Sequence, residues 1–464
     1  MSCMDNLIVL SYLLLTLFIG LYNRSRSNSF KSFASITNNT KNSKLLLLAT
    51  IFVSSVGGGT IFGLAEKSFT GNIAFTYGLI LTIPVDLLVA KFVVPRFIKH
   101  YGAQSIGDIM TCYYGKAGRV ISGAAAIFLS IGFLAAQISV SGRIFQYILK
   151  IDFIYGVLLS YSIVIIYTTI GGLRSVMFTN VLQFFAMILA IPVITIMGIQ
   201  TIGLSNFIAN VPSNRIFFNY SNDLLTDTIS AALSFVVMGL YPNFIQRILI
   251  NKNHYTTSKA IYYKTAIYAA FLIFTTANGL IAYLTYPEQS SGLALFVLID
   301  QIIPFGLKGI VVVGLLATVM STADSDLNVT SISLIKDIFI PIFGEKNQQS
   351  LLHLARVANV VVGSFAIVIA LRYTSIVDLV IFVAGFWGSI VVLPLLFGLF
   401  NVTLSSKLVV LNAIISPVIC LVWEYYFAAT YNLRGVFVTT IASLLFFSVV
   451  KSSSSEPKTL CKNS

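Results

Sequence analysis

Charge is what this 464-residue chain has least of. Only 10% of its residues are Asp, Glu, Lys or Arg, against roughly 25% in soluble domains. With 57% hydrophobic residues, that scarcity excludes a soluble globular protein and a disordered one. Acids are scarcer than bases: 16 Asp and Glu stand against 29 Lys and Arg, a formal net charge of +13. A basic balance can serve nucleic acid, but here the hydrophobicity assigns it to asymmetric membrane loops, and no nucleic-acid partner is expected. The four cysteines, Cys3, Cys112, Cys420 and Cys461, include no CxxC pair, which argues against a disulfide framework and a thiolate metal site. The three histidines, His100, His254 and His353, fall in or beside polar segments and share no metal-ligand spacing. Enzyme signatures are missing too. There is no HExxH and no GxSxG, and Gly115-Lys116 is followed by Ala117 rather than the hydroxyl residue of a P-loop. With no His in a span, a membrane-embedded hydrolase would lack its usual base. No enzyme and no organic cofactor is expected.

What is present is apolar stretches of membrane length. A spanning helix needs about 20 mostly apolar residues. Thirteen such stretches are expected, near 5–22, 44–66, 71–95, 118–149, 153–170, 176–201, 229–250, 260–285, 306–336, 352–371, 376–400, 407–428 and 432–450. The first is not read as a signal peptide, because its basic residues, Arg24 and Arg26, follow it rather than precede it. That order holds the amino terminus outside. On this orientation 22 of the 29 basic residues, Arg247 and Lys264 among them, fall inside, and the carboxyl terminus is inside.

The organisation expected is therefore a first helix and basic cytoplasmic loop (1–43), five spans (44–201), an extracellular loop (202–228) and five more spans (229–400). Two peripheral spans (401–450) and a cytoplasmic tail (451–464) complete it. Five is odd, so the second block would enter the membrane inverted, as in many secondary transporters built around broken helices.

Two spans carry unusual polar chemistry. In the second, Gly57, Gly58 and Gly59 are consecutive in mid-membrane. Each costs about 1 kcal/mol of helix propensity relative to Ala, so a helix break is expected there. Freed backbone carbonyls are tolerable only where they line a cavity or bind something; close helix packing is the other use of such glycines. In the ninth, Thr318, Ser321, Thr322 and Ser325 share one helical face, with Asp324 about 60° from Ser321. Hydroxyls and carbonyls are hard oxygen ligands suited to a small alkali cation. Carboxylates in a span are rare and usually functional, although Asp326 on this helix is expected to reach a wet cytoplasmic vestibule. Asp86 is expected to pair structurally with a cytoplasmic Lys or Arg, and Arg143 to lie near an outer helix end.

These motifs resemble the sodium:solute symporter family, with its LeuT-type inverted-repeat fold. Four segments carry the resemblance, which runs over roughly 44–400. Ser54-Ser55-Val56-Gly57-Gly58-Gly59-Thr60-Ile61-Phe62-Gly63 resembles the broken first core helix. Tyr167-Thr168-Thr169-Ile170-Gly171-Gly172-Leu173-Arg174 resembles the GG turn, continued by Thr179-Asn180-Val181-Leu182-Gln183. Ile245-Gln246-Arg247 resembles the inner end of the sixth core helix, and Met320-Ser321-Thr322-Ala323-Asp324-Ser325 the ion-binding stretch of the eighth.

The resemblance implies an all-α polytopic membrane protein in a bacterial inner membrane. It implies a sodium site formed by the carbonyls of Val53, Val56 and Thr318 and the hydroxyls of Ser321 and Thr322. Many members have Asp where this chain has Asn180; here Asp324 with Ser325 and Asn180 is expected to keep one negative charge at a second ion or coupling site. The pocket candidates are Ser55, Thr60, Gln137, Arg143, Ser234 and Val237. The last replaces the aromatic that closes sugar sites, and the segment around Arg143 looks more like the proline-transporter branch. The implied function is sodium-coupled import of a small organic solute, such as an amino acid or short organic acid, by alternating access. Proton coupling through Asp324 or Asp326 is one alternative; a channel or transporter-like sensor is another.

Overall fold

The computed structural model describes residues 3–36, 43–217, 225, 228–229, 231–233, 235–236, 239–372, 376–402, 404–431 and 433–451. Among them there is helix and no strand. We label the helices α1 (Cys3–Asn23), α2 (Phe30–Ala34), α3 (Ser43–Ser55), α4 (Gly59–Thr70), α5 (Ala74–His100), α6 (Ile106–Tyr147) and α7 (Phe153–Ile202). They continue as α8 (Pro242–Leu249), α9 (His254–Thr285), α10 (Ala294–Ile302), α11 (Leu307–Phe343), α12 (Gln348–Ala370), α13 (Phe382–Leu399), α14 (Ser406–Tyr426) and α15 (Gly435–Lys451).

Nine of the described helices are long and apolar enough to cross a bilayer, or ten if the bent pair α3 and α4 is one span. The expected spans 153–170 and 176–201 form one helical stretch, α7. At 1.5 Å per residue its 50 residues would reach about 75 Å, more than twice the hydrocarbon thickness. It is divided by a break at Gly172, whose φ of 58° and ψ of −156° are not helical. A side chain there would be strained by that φ and would also strike Phe33 of α2. The carbonyls freed before the break are taken up by other groups. Ser27 Oγ donates to Gly171 O at 2.7 Å, and Arg356 of α12 reaches the carbonyls of Thr169 and Ile170. Much of the expected span 229–250 falls outside the described residues.

Burial orders the helices from centre to lipid. In the most apolar window of each, 83% of residues are buried in α11 and 67% in α6, but 33% in α1 and 22% in α14. On α1, Leu7, Leu10, Leu14 and Phe18 are exposed at helical spacing while Val9, Tyr12, Leu13 and Thr16 are buried, the pattern of a helix with one face to lipid. The central helix α11 packs mainly on α7 and α6, and also on α1, α3 and α12. Small residues permit the close α7–α11 approach: a Cβ on Gly314 would overlap Ala190. Asp5 of α1 is wholly buried, and its carboxylate accepts from the Gly306 and Gly309 amides at 2.9 and 2.7 Å, capping the start of α11.

Two basic residues counted among the inside loop charges belong to the core instead. Arg247 is 0% exposed, and the Lys264 side chain is 4% exposed against Asp86. Lys308, counted outside, is buried as well at 5% exposure; leaving out all three, 20 basic residues stand on the expected inside and 6 outside.

Candidate functional site

The second span is interrupted where the glycines stand. Helix α3 ends at Ser55, and α4 begins at Gly59 as a π-helical turn, bent 51° from α3. A helix end leaves the carbonyls of its last turn, Val53 included, without helical donors. The Ser54 carbonyl accepts from the Tyr241 hydroxyl. The Gly57 carbonyl accepts from both Thr60 and Ile61, at 3.0 and 3.2 Å, and so starts the second half.

The three glycines are not equivalent. A Cβ on Gly57 would lie 3.1 Å from Thr322 Oγ1, and one on Gly58 about 3 Å from Gln137, Val140 and Val319 at once. Among the described residues, a Cβ on Gly59 would meet Val380 alone, at 4.0 Å. Close approach, not backbone dihedral, requires the first two. Gln137 Oε1 accepts from the Gly58 amide at 2.7 Å, so α6 holds the break in place.

The interruption thus faces the hydroxyl face of α11. Thr318 and Ser321 are wholly buried and Thr322 is 4% exposed; Val53 and Val56, at the end of α3 and just beyond it, are also wholly buried. Thr318 Oγ1 donates to Gly314 O, while the Ser321 and Thr322 hydroxyls donate to Thr318 O at 3.0 and 3.4 Å. Each hydroxyl gives its proton to the helix backbone and keeps lone pairs for another partner. That chemistry fits a small hard cation.

One turn further, the chain concentrates charge. Asp324 Oδ2 accepts from the Tyr167 hydroxyl at 2.5 Å and from Thr179 Oγ1 at 3.3 Å. Ser325 Oγ lies 3.2 Å from Asp324 Oδ1 and accepts from Arg247 at 2.9 Å. Arg247 also donates to Gln246 Oε1 at 2.7 Å. Asn180 adjoins Thr179 and is wholly buried, and neither of its amide atoms has a hydrogen-bond partner among the described residues. Asp326 does not reach a wet vestibule: it is 1% exposed, with Oδ1 accepting from Asn243 of α8 at 3.1 Å and Oδ2 without a partner among the described residues. The helix direction that suggested water says nothing about α8, which covers this turn.

Beside the break lies a cavity with an empty volume of about 990 Å³, including the space open to solvent. Ser55, Thr60, Gln137 and Thr322 line it, so the hydroxyl face and the cavity share Thr322. Six aromatic residues, Phe75, Phe133, Phe235, Tyr241, Phe244 and Tyr268, also line it. It also holds Asp86 of α5 and Lys264 of α9, paired at 2.6 Å. Arg143 does not join this cavity; it lines a separate one with Ser139, Gln146, Tyr147 and Ser290. Arg143 lies six residues beyond Gln137 along α6, which separates the two along the helix axis by about 9 Å. Ser234 and Val237 lie outside the described residues.

The family model for the sodium:solute symporter family matches residues 40–407. The chain belongs to that family. Among curated relatives it is 27% identical over 340 residues to a sodium/proline symporter of Staphylococcus aureus, covering 68% of this chain and 66% of the relative. It is 21% identical over 342 residues to the sodium/sialic acid symporter NanT of Aliivibrio fischeri, covering 69% of this chain and 67% of that one. The chain thus spans about two thirds of the length of these relatives. Its fold is similar, with a TM-score of 0.86, 18% identity and 99% coverage of both chains, to the substrate-bound outward-open state of a Na+-coupled sialic acid symporter, described as revealing a novel Na+ site. The LeuT-type architecture expected from the motifs is therefore the observed one. The paired acid and base in the cavity, and the burial of Arg247, are the features sequence reasoning missed. A base near Asp86 was expected, but no local pattern pointed to residue 264.

Proposed function

We propose that this protein is a sodium-coupled symporter that imports a small organic solute by alternating access. The observation that carries the proposal is the juxtaposition of the helix break with the hydroxyl face of α11, where a Cβ on Gly57 would lie 3.1 Å from Thr322 Oγ1. Sodium, as the co-transported substrate, is assigned to the carbonyls of Val53, Val56 and Thr318 and the hydroxyls of Ser321 and Thr322. No formal charge sits in that set, which makes the site weak and suits an ion that must be released inside. Bridging α3 to α11 would hold the two halves of the bundle in one arrangement, and the shared Thr322 links ion and solute sites. Asp324, Ser325 and Asn180 form a second ion or coupling site in this reading, with the carboxylate supplied by α11 rather than α7. We assign an outside amino terminus, thirteen spans in inverted five-helix repeats and a bacterial inner membrane on the same grounds of charge asymmetry and family.

The test compares the thermal midpoint of the purified protein in sodium and in potassium at equal ionic strength, for the wild type and Ser321→Ala. A ligand that binds only the folded state stabilises by about 2.7 kcal/mol at one hundred times its Kd. A sodium-specific rise that Ser321→Ala loses is expected. Equal midpoints in the two salts would refute the sodium site. One observation favours a proton instead: the buried Oδ2 of Asp326, which has no partner among the described residues. On that reading uptake would follow pH and ignore sodium.

A further inference from the structure

We propose that Asp86 and Lys264 are the charged contacts for the solute, and that the solute is a zwitterion whose ammonium and carboxylate lie a few atoms apart, as in an α-amino or imino acid. The inference rests on reading the central cavity as the solute site of a symporter.

The starting point is cost. Charges within a bilayer are expensive and are rarely kept without use. Here the Lys264 and Asp86 side chains are 4% and 14% exposed, and both line the cavity. They are the only carboxylate and the only ammonium among its described lining residues. Each stands one turn from a second lining residue on its own helix: Thr82 and Asp86 on α5, Lys264 and Tyr268 on α9. The Lys264 ammonium is 5.0 Å from the Tyr268 ring centroid. The pair therefore belongs to two continuous cavity-facing stripes, and is not a clasp hidden between the helices.

Charge bookkeeping then selects the ligand. The pair is formally neutral. Next to Ser321, the two carboxylates of Asp324 and Asp326 and the guanidinium of Arg247 leave one formal negative charge, all wholly or almost wholly buried. The Asp86–Lys264 pair is balanced apart from that cluster, so a net-neutral solute leaves the charge of the cavity unchanged whatever ion the cluster holds. A sugar is neutral but gives no charge in return for separating a 2.6 Å ion pair. A monoanion would engage Lys264 and leave Asp86, a largely buried carboxylate, without its partner, which is strongly unfavourable. A zwitterion replaces one ion pair by two, with no change in net charge at any stage.

The experiment reads thermal midpoints of the purified full chain in sodium against added proline, small neutral L-amino acids, lactate and galactose. A zwitterion is expected to raise the midpoint beyond sodium alone, and lactate and galactose are not. The double variant Asp86→Asn with Lys264→Gln leaves no charge unpaired, so it is expected to keep the sodium-specific rise. Its solute affinity is expected to fall about 30-fold or more, the consequence of losing a charge-assisted contact at a largely buried pair. Lys264→Arg serves if that variant fails to fold. It keeps the ion pair, while its larger planar head displaces the ligand carboxylate and weakens binding. A sodium rise with no response to any zwitterion would overturn the proposal. So would wild-type solute affinity in a folded variant, or binding of lactate or galactose in place of the zwitterions. A missing sodium rise in the wild type is a separate failure, of the sodium reading. The solute arms, repeated at acid pH without sodium, would still decide the role of the pair.

Discussion

Replacing Gly58 by Ala and, separately, Gly59 by Ala should have opposite effects, although the two glycines are adjacent. An alanine suits the helical dihedrals of residue 58, φ −56° and ψ −36°, so propensity alone would favour it by up to about 1 kcal/mol. Space decides otherwise. The new methyl would stand 2.9 Å from Gln137 Oε1 and 3.0 Å from both Val140 Cγ2 and Val319 Cγ1. Both valines are β-branched and buried on α6 and α11, so they cannot swing away. Overpacking of this kind costs about 1–3 kcal/mol. Moving α3 aside would also stretch the 2.7 Å bond from the Gly58 amide to Gln137, a loss of about 1 kcal/mol. Gly58→Ala should therefore be destabilised by about 1–4 kcal/mol after the propensity gain. At Gly59 the nearest atom to a new methyl among the described residues is 4.0 Å away, so Ala should be neutral or stabilising by up to about 1 kcal/mol. Thermal midpoints of the two variants in one detergent check this, with solute uptake in proteoliposomes as the second readout. A Gly58→Ala midpoint equal to or above that of Gly59→Ala would refute the argument from close approach.

Further outcomes follow from the buried charges. Arg247→Met should destabilise the chain by about 3–5 kcal/mol, because it leaves Asp324 and Asp326 uncompensated, and adding Asp326→Asn should recover much of that loss; denaturation of the two variants measures the coupling. Asp324→Asn should weaken the sodium dependence of uptake, and an unchanged sodium activation curve would remove Asp324 from the coupling site. Asp5→Asn should cost about 1–2 kcal/mol through the cap it forms on the Gly306 and Gly309 amides, with a lower thermal midpoint as the readout. Outside the membrane spans, burial would raise the Asp300 carboxyl, but hydrogen bonds and charge from Lys150 and Lys308 hold it below its usual value. A depressed folded-state value contributes stability above the ordinary carboxylate range and loses it as pH falls through the folded value. Asp300→Asn should accordingly flatten the decline of the midpoint on acidification below about pH 4.

How much of the site was legible before the structure depends on the range of the interaction concerned. Membrane burial, the helix break and the hydroxyl face are local properties. Apolar transfer accumulates over about 20 neighbouring residues, glycine propensity acts at single positions, and a helical face repeats every 3.6 residues. These readings mark Gly57 and the face of Ser321 and Thr322 separately; that the two meet was implied by the family resemblance, not by any local pattern. The turn at Gly171-Gly172 was implied by the family resemblance, and the φ of 58° at Gly172 is one that glycine adopts freely.

Packing decided the rest. Lys264 and Asp86 are 178 residues apart in the chain, and only the meeting of α5 and α9 makes them partners and turns them to one cavity. Arg247 has the composition of a loop charge and the location of a core residue, because α8 sits against α11 and buries it beside Asp324 and Asp326. Arg143 and Gln137 share a helix, yet six residues of rise carry Arg143 into a different cavity. Even among three identical glycines, the sequence by itself determined only that the helix would be interrupted. Which of them must lack a side chain was set by Thr322, Val140 and Val319, contributed by two other helices. Hydrophobic transfer and backbone propensity act on neighbours along the chain and are readable there; charge pairing and steric exclusion act on neighbours in space.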